Sequence, residues 1–292
     1  MKNVVWANGV LRTENEPVIT AFNHGFTVGD GIFETIGVRN GRPFALSRHL
    51  ARLQYSAERM GMRVIDKAQI HDGVAAVMSE GSGQLTRLRV TVTSGPGPMG
   101  TLRGTADPTV VVVGGDPPPP RTCHAVRAPW KRNERSAITG IKTTSYAENV
   151  VLATYADSKG ADEAILSNTH GHLCEGTSTN IFMEMGGEIV TPPLASGCLP
   201  GIVRGLALEW GARAGIPVRV AAPGELAMAV LDEVASGVAF AAVTSAVRGV
   251  QMISKLDGAP VLTGPMLKAL SELFESNAAV DPDPAPPRGN SG

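Results

Sequence analysis

The chain of 292 residues predicts an α+β protein in two domains. Three observations carry this expectation. Strand and helix signals alternate through the N-terminal part. A run of four prolines, Pro117 to Pro120, then breaks the pattern; prolines neither donate to a sheet nor continue a helix, so the run reads as a stiff linker. Beyond it, short strands resume between helices. The expected organisation is an N-terminal α/β domain over 1–116, a linker over 117–121, a C-terminal domain over 122–277 and a disordered tail over 278–292.

In the first domain, Val4-Val5-Trp6 and Phe33 to Val38 read as strands. Ser47 to Met60 sets Leu50, Leu53, Ala57 and Met60 at helical spacing, and Lys67 to Met78 repeats it with Ile70, Val74 and Val77. Leu85 to Val92 and Thr109 to Val113 are strands. In the second domain, His124 to Ala128 is strand-like, and Tyr146 to Lys159 is a helix ended by Gly160. Short strands follow at Glu163 to Leu166, His172-Leu173, Ile181 to Glu184 and Glu188 to Thr191. Gly201 to Ala214 is a helix burying Ile202, Leu206 and Trp210. Val238 to Val243 and Val247 to Val250 are strands, and Pro265 to Phe274 is a last helix. After Asn277 the residues are mostly Pro, Asp, Ala and Gly, a composition that buries little.

At 43% apolar and 18% charged, the composition is that of an ordinary globular protein. A net charge of −1 gives no electrostatic case for nucleic acid or an anionic membrane. No apolar run reaches membrane-spanning length, and the first residues are too poor in apolar side chains for a signal peptide. Cys123, Cys174 and Cys198 are odd in number and lack metal-ligand spacing, which suits a reducing compartment; the cytoplasm is expected.

Chemistry concentrates in the middle of the chain. Lys142 lies in Gly140-Ile-Lys142-Thr-Thr-Ser-Tyr146, among apolar and small residues. Glu175 lies in Cys-Glu175-Gly-Thr-Ser-Thr-Asn180-Ile-Phe182, and Leu199-Pro-Gly201-Ile-Val-Arg204 starts a helix on glycine. An amine nucleophile, a carboxylate and a helix start that attracts anions follow one another. Taken singly, each has an ordinary reading: a surface lysine, a turn acid, a loop glycine. Upstream stand Asn23-His-Gly25-Phe-Thr-Val-Gly29-Asp30-Gly31-Ile-Phe33-Glu34-Thr35 and Phe44-Ala-Leu-Ser-Arg-His49-Leu-Ala-Arg52-Leu53.

In this order the segments resemble the class IV aminotransferases, the pyridoxal 5'-phosphate (PLP) enzymes of fold type IV. That family includes branched-chain and D-amino acid aminotransferases and 4-amino-4-deoxychorismate lyase. The resemblance covers most of the chain. It implies a two-domain, D-amino acid aminotransferase-like fold with PLP in the cleft between the domains, a homodimer completing the site, and a small-molecule amino substrate. Lys142 matches the lysine that binds PLP covalently, and Glu175 the acid that faces the ring nitrogen. Arg52 matches the phosphate-binding arginine, with backbone donors at Ile202 and Val203 and hydroxyls at Thr244 and Ser245. Phe33 and Arg103 match positions near the substrate, Arg103 as a partner for a carboxylate.

Several residues depart from the family. Val203 stands where a threonine is usual, Gly37 where an arginine is frequent, and His24 where an arginine precedes Gly-Phe. Arg39 lies two residues beyond Gly37 on the same strand face. The offset of Tyr146 from Lys142 does not match the branched-chain enzymes, so Tyr146 is expected in the helix core. Gly95-Pro-Gly97-Pro-Met-Gly100 fits a dinucleotide-binding pattern formally, but Pro96 and Pro98 remove backbone donors and no helix is expected next. His170 and His172 lack a third ligand, so no metal site is expected. Three features tilt the expectation to the lyase: Val203, the absence of a Gly-Gly-Asn-Tyr run after Lys142, and the glycine-rich loop at 95–100. An amino acid transaminase of branched-chain or D-amino acid type is the alternative. A non-catalytic PLP-binding protein would require loss of Lys142 or Glu175, and both are present.

Overall fold

The structure is a computed structural model that describes residues 3–63, 65–115 and 122–286. The expected linker at 117–121 lies outside these residues, as does the end of the expected tail. The chain divides into two compact units. Unit 1 is Met1–Pro118, Ile141–Tyr146 and Ala279–Gly292; unit 2 is Pro119–Gly140 and Ala147–Ala278.

In unit 1, strands β1 (Val4–Ala7), β2 (Val10–Arg12), β3 (Gly31–Arg39), β4 (Arg42–Pro43), β5 (Arg87–Thr93) and β6 (Thr109–Gly115) form an antiparallel sheet in the order β2-β1-β6-β5-β3-β4. Alternation along the strands sends Ile32, Glu34 and Ile36 of β3 to one face. Their partners Val92, Val90 and Leu88 on β5 share that face. α1 (His24–Thr27) is a single turn capped by Asn23. α2 (Leu46–Arg59) and α3 (Lys67–Glu80) cover the core face, packing Leu50, Leu53, Ile70, Val74 and Val77 onto it. Each fully buried Leu or Ile there stabilises the fold by about 1.5–3 kcal/mol. The opposite face carries Phe33, Thr35 and Gly37, beside Thr91, Arg89 and Arg87.

In unit 2, a mixed sheet runs β12-β11-β10-β13-β14-β7-β8-β9, with β15 paired to β14. Its strands are β7 (Cys123–Arg132), β8 (Glu163–Asn168), β9 (Leu173–Glu175), β10 (Asn180–Met185), β11 (Glu188–Thr191), β12 (Val218–Val220), β13 (Phe240–Ser245), β14 (Gly249–Leu256) and β15 (Ala259–Pro260). The helices are α4 (Ala147–Ser158), α5 (Ile202–Arg213), α6 (Val230–Ser236) and α7 (Pro265–Val280). The core gathers Ile165, Ile181, Met183, Val243 and Ile253 from the sheet with Leu231 and Val234 of α6.

Two expectations about organisation are corrected. Ile141–Tyr146 falls in the C-terminal domain by sequence order, yet it belongs to unit 1. Thr143 bridges Ile32, the Phe33 amide donates to Lys142 O at 3.0 Å, and the Thr144 amide donates to Gly31 O at 2.8 Å. A side chain at Gly31 would put its Cβ 2.9 Å from Thr144 Oγ1, so the close approach of this segment requires glycine. The expected disorder from residue 278 is also wrong for the described part. α7 continues to Val280, and the residues after it bond to α2. Their backbone carbonyls and the Asp283 carboxylate find partners that composition alone does not reveal.

Candidate active site

Lys142 stands on the face of the unit 1 sheet opposite α2 and α3, over Phe33. Its Nζ lies 4.4 Å from the centre of the Phe33 ring and donates to the Tyr146 hydroxyl at 3.4 Å. Tyr146 packs edge-on against Phe33, with centroids 4.9 Å apart. It precedes α4 rather than lying inside it, which corrects the expected helix-core placement; an offset of four residues from Lys142 also occurs in an extended, turned segment. Arg89 of β5 stacks on the same Phe33 ring at 3.8 Å, and its Nε donates to Thr91 Oγ1 at 3.3 Å. Among the described residues, Arg89 meets no carboxylate. Amine, phenol, aromatic ring and guanidinium are thus collected on one face.

Beneath the sheet, on the α2 side, lies a buried polar group. Arg52 donates Nε and Nη2 to Glu34 at 2.8 and 2.6 Å, and His49 Nδ1 faces Glu34 Oε2 at 2.7 Å. Burial alone would raise the Glu34 carboxyl, but Arg52 and then His49 hold it at about 2. Burial pushes the His49 imidazole below its usual value against the pull of Glu34. Arg52 is therefore aligned by a bidentate carboxylate rather than extended into solvent.

Arg103 differs from its expected role. Its Nε and Nη2 clamp Asp30 at 2.7 Å each, and its Nη1 donates to Met60 O at 2.9 Å and Gly61 O at 2.6 Å. All three nitrogens are committed, so Arg103 fastens its loop to Asp30 instead of waiting for a substrate carboxylate.

In unit 2, Glu175 closes β9. Its Oε2 accepts the Leu199 amide at 2.9 Å, and its Oε1 lies 3.3 Å from Arg132 Nη2. Arg132 reaches it from beyond a bulge in β7, where the register with β8 shifts between Arg127 and Lys131, around Pro129. Asn180 opens β10 opposite Thr244 and donates Nδ2 to Leu199 O at 2.8 Å. A Cβ at Gly201 would collide with Asn180 Oδ1, so only glycine fits there. Gly201 is the N-cap of α5 and supplies no side-chain cap for the first amides. Thr244 Oγ1 is buried without a partner among the described residues. Ser245 Oγ accepts the Arg248 amide at 3.2 Å. Asn180 therefore brings Glu175, the start of α5 and Thr244 into one neighbourhood. Beside it, Glu163 binds the Ser178 amide and hydroxyl at 3.1 and 2.8 Å and Arg248 Nη1 at 3.2 Å. Burial pushes the Glu163 carboxyl up, against the pull of Arg248.

Residues 31–256 match the family Amino-transferase class IV. The chain belongs to the class IV aminotransferase family. It is 29% identical over 224 residues to the "Putative branched-chain-amino-acid aminotransferase" of Methanocaldococcus jannaschii, covering 73% of this chain and 76% of that protein. It is 25% identical over 213 residues to the aminodeoxychorismate lyase of Bacillus subtilis, covering 70% and 73%. A hypothetical aminotransferase from Mycobacterium tuberculosis, solved in its PLP-bound form, has the same fold, with a TM-score of 0.81, 24% identity and coverage of 94% and 98%.

PLP is the cofactor of this family, and the residues present suit it. An uncapped helix start and a buried hydroxyl with no protein partner fit a phosphate. A carboxylate braced by Arg132 and an amide fits a protonated ring nitrogen. Sequence reasoning missed Arg89, Arg132 and Asn180. For Arg89 a signal existed: strand alternation in Arg87-Leu-Arg-Val-Thr places it on the face that Phe33 occupies.

Proposed function

We propose that this protein is a 4-amino-4-deoxychorismate lyase, which forms 4-aminobenzoate and pyruvate and acts as a homodimer in the cytoplasm. The observation that supports this reading best is the face around Phe33. There an amine, a phenol, an aromatic ring and Arg89, which meets no carboxylate among the described residues, lie together. A flat, carboxylated ring suits such a face better than an aliphatic side chain does.

PLP, when bound, supplies an electron sink for the charge left as the carbon bearing the substrate nitrogen loses its proton. Lys142 would hold the cofactor, and its free Nζ would take that proton. The Tyr146 hydroxyl orients Nζ. Arg89 binds a substrate carboxylate against Phe33. Glu175, accepting the Leu199 amide beside Arg132, favours a protonated ring nitrogen. The phosphate is received by the amides of Ile202 and Val203 and the hydroxyls of Thr244 and Ser245, with Arg52 adding charge from its Glu34 mooring. Loss of the ring proton to Lys142 and cleavage of the ring C–O bond send the electron pair to the enolpyruvyl oxygen. The ring becomes aromatic and keeps its nitrogen, and the departing enolate takes up the proton held by Lys142 to become pyruvate.

The dimer reading draws on exposed Phe22, Phe26, Met99 and Leu102. Their two segments are tied by the Gly97 amide on Phe22 O at 3.0 Å, and apolar surface of this kind marks interaction sites. The cytoplasmic reading draws on free Cys123, Cys174 and Cys198. Among the described residues, no helix is long and apolar enough to cross a membrane.

A transaminase is the second reading, favoured by the similarity to the Methanocaldococcus jannaschii protein. The test gives purified protein aminodeoxychorismate without any keto acid. The lyase yields 4-aminobenzoate and pyruvate in equal amounts over many turnovers. One equivalent of keto acid per site from an amino acid, with no 4-aminobenzoate, would replace the lyase by a transaminase. PLP retained with neither product would leave a binding protein.

A further inference from the structure

α3 carries its own cap, since Asp66 accepts the Ala68 and Gln69 amides. α2 does not. Its N-cap is Ala45, in the left-handed region at φ 54° and with no side-chain acceptor, although the first amides of a helix have no intrahelical partner. Its acceptors come from the segment that follows α7. The Ala45 amide donates to Pro282 O at 2.7 Å. The Ser47 amide donates to Asp283 Oδ1 at 2.8 Å, and the Ser47 hydroxyl to Asp283 Oδ2 at 2.6 Å. Arg48 Nε donates to Pro284 O at 3.1 Å, with Arg48 and Pro284 both buried. The two prolines fix their own φ and so present these carbonyls at reduced entropic cost. A carboxylate at this place also complements the positive end of the helix dipole.

We infer that Asp283 is a positioning residue for the cofactor site. It caps α2 from a distance, and α2 carries His49 and Arg52, which grip buried Glu34. A frayed first turn loosens the alignment of Arg52, and with it the hold on the cofactor phosphate. The phosphate part of this inference rests on the role proposed above for Arg52.

The test compares Asp283→Ala, Asp283→Asn and Asp281→Ala in the full chain. Asparagine caps helices about as well as aspartate, so it serves as the rescue, and Asp281 makes none of these bonds. Two quantities are read: hydrogen exchange of the amides at 46–49 in the PLP-free protein, and the rate of PLP loss on dilution. In Asp283→Ala both rise about fivefold, the equilibrium factor for losing one helix cap. Asp283→Asn restores both, Asp281→Ala leaves both unchanged, and kcat at saturating PLP stays as in the wild type. Unchanged exchange in Asp283→Ala overturns the inference. So does faster exchange without faster PLP loss when Arg52→Ala does speed that loss. If Arg52→Ala leaves PLP retention unaltered, the proposed phosphate role of Arg52 is what fails, and the inference falls with it.

Discussion

Glu34→Gln probes the buried centre of unit 1. The carboxylate is wholly buried, takes two bonds from Arg52 and faces His49. Burial opposes its ionisation, yet Arg52 and His49 hold it at about 2 against an ordinary 4.5. That difference corresponds to about 3 kcal/mol of folded-state stability. Because the folded value lies below the unfolded one, the contribution is complete above the ordinary carboxylate range and is lost as the pH falls from 4.5 toward 2. Glutamine keeps the volume and one acceptor but leaves the Arg52 charge without its counterion, a loss of about 3–5 kcal/mol for a buried pair. Urea denaturation of the PLP-free protein, repeated between about pH 7 and about pH 3, measures both effects. The variant should be weaker by that amount at neutral pH and should lose less on acidification. Stability within about 1 kcal/mol of wild type at neutral pH, with an unchanged acid slope, would refute the reasoning.

Three other outcomes follow from the site. Lys142→Ala should abolish turnover, and after borohydride reduction mass spectrometry should find no cofactor on the 141–146 peptide, where the wild type carries it. Arg89→Leu should raise KM for a carboxylated substrate roughly tenfold or more, the loss of about 1.5–3 kcal/mol from a charged hydrogen bond, while PLP retention is unchanged. Arg103→Ala should lower stability by about 1–3 kcal/mol in denaturant titration, because it strips Asp30 of a bidentate partner, and should leave KM unaltered.

The elements legible in the sequence are those whose burial repeats along one local period. Leu50, Leu53 and Ala57 mark α2, and Ile70, Val74 and Val77 mark α3; all are buried as spaced. α1, at one turn, and β12, at three residues, are too short to show a period. α6, at seven residues, spans only about two turns, too few for Val230, Leu231 and Val234 to establish a period. In the candidate site, the motifs around Lys142, Glu175 and Gly201 were visible as local strings. What was not visible is pairing across long separations. Asp30 claims Arg103 from 73 residues away, and Glu34 claims Arg52 by facing it from a strand. Tyr146 shows the same gap: it reads as the first residue of the helix over 146–159, and only the bond of the Thr144 amide to Gly31 explains why the segment before α4 is extended. The prolines after Val280 suggest disorder by composition, but their carbonyls are what α2 lacks.

That unit 1 is assembled from three separated stretches also sets an order in time. As the chain is synthesised, β1 to β6 and the body of α2 emerge first, and N-terminal regions generally begin folding before the rest is made. The lysine segment follows after β7. Pro282, Asp283 and Pro284 appear only after all of unit 2. The half of the protein that starts first is therefore the last to be finished, and during that interval α2 has an open end. A protease that cut after Val280 would return the mature protein to this immature state.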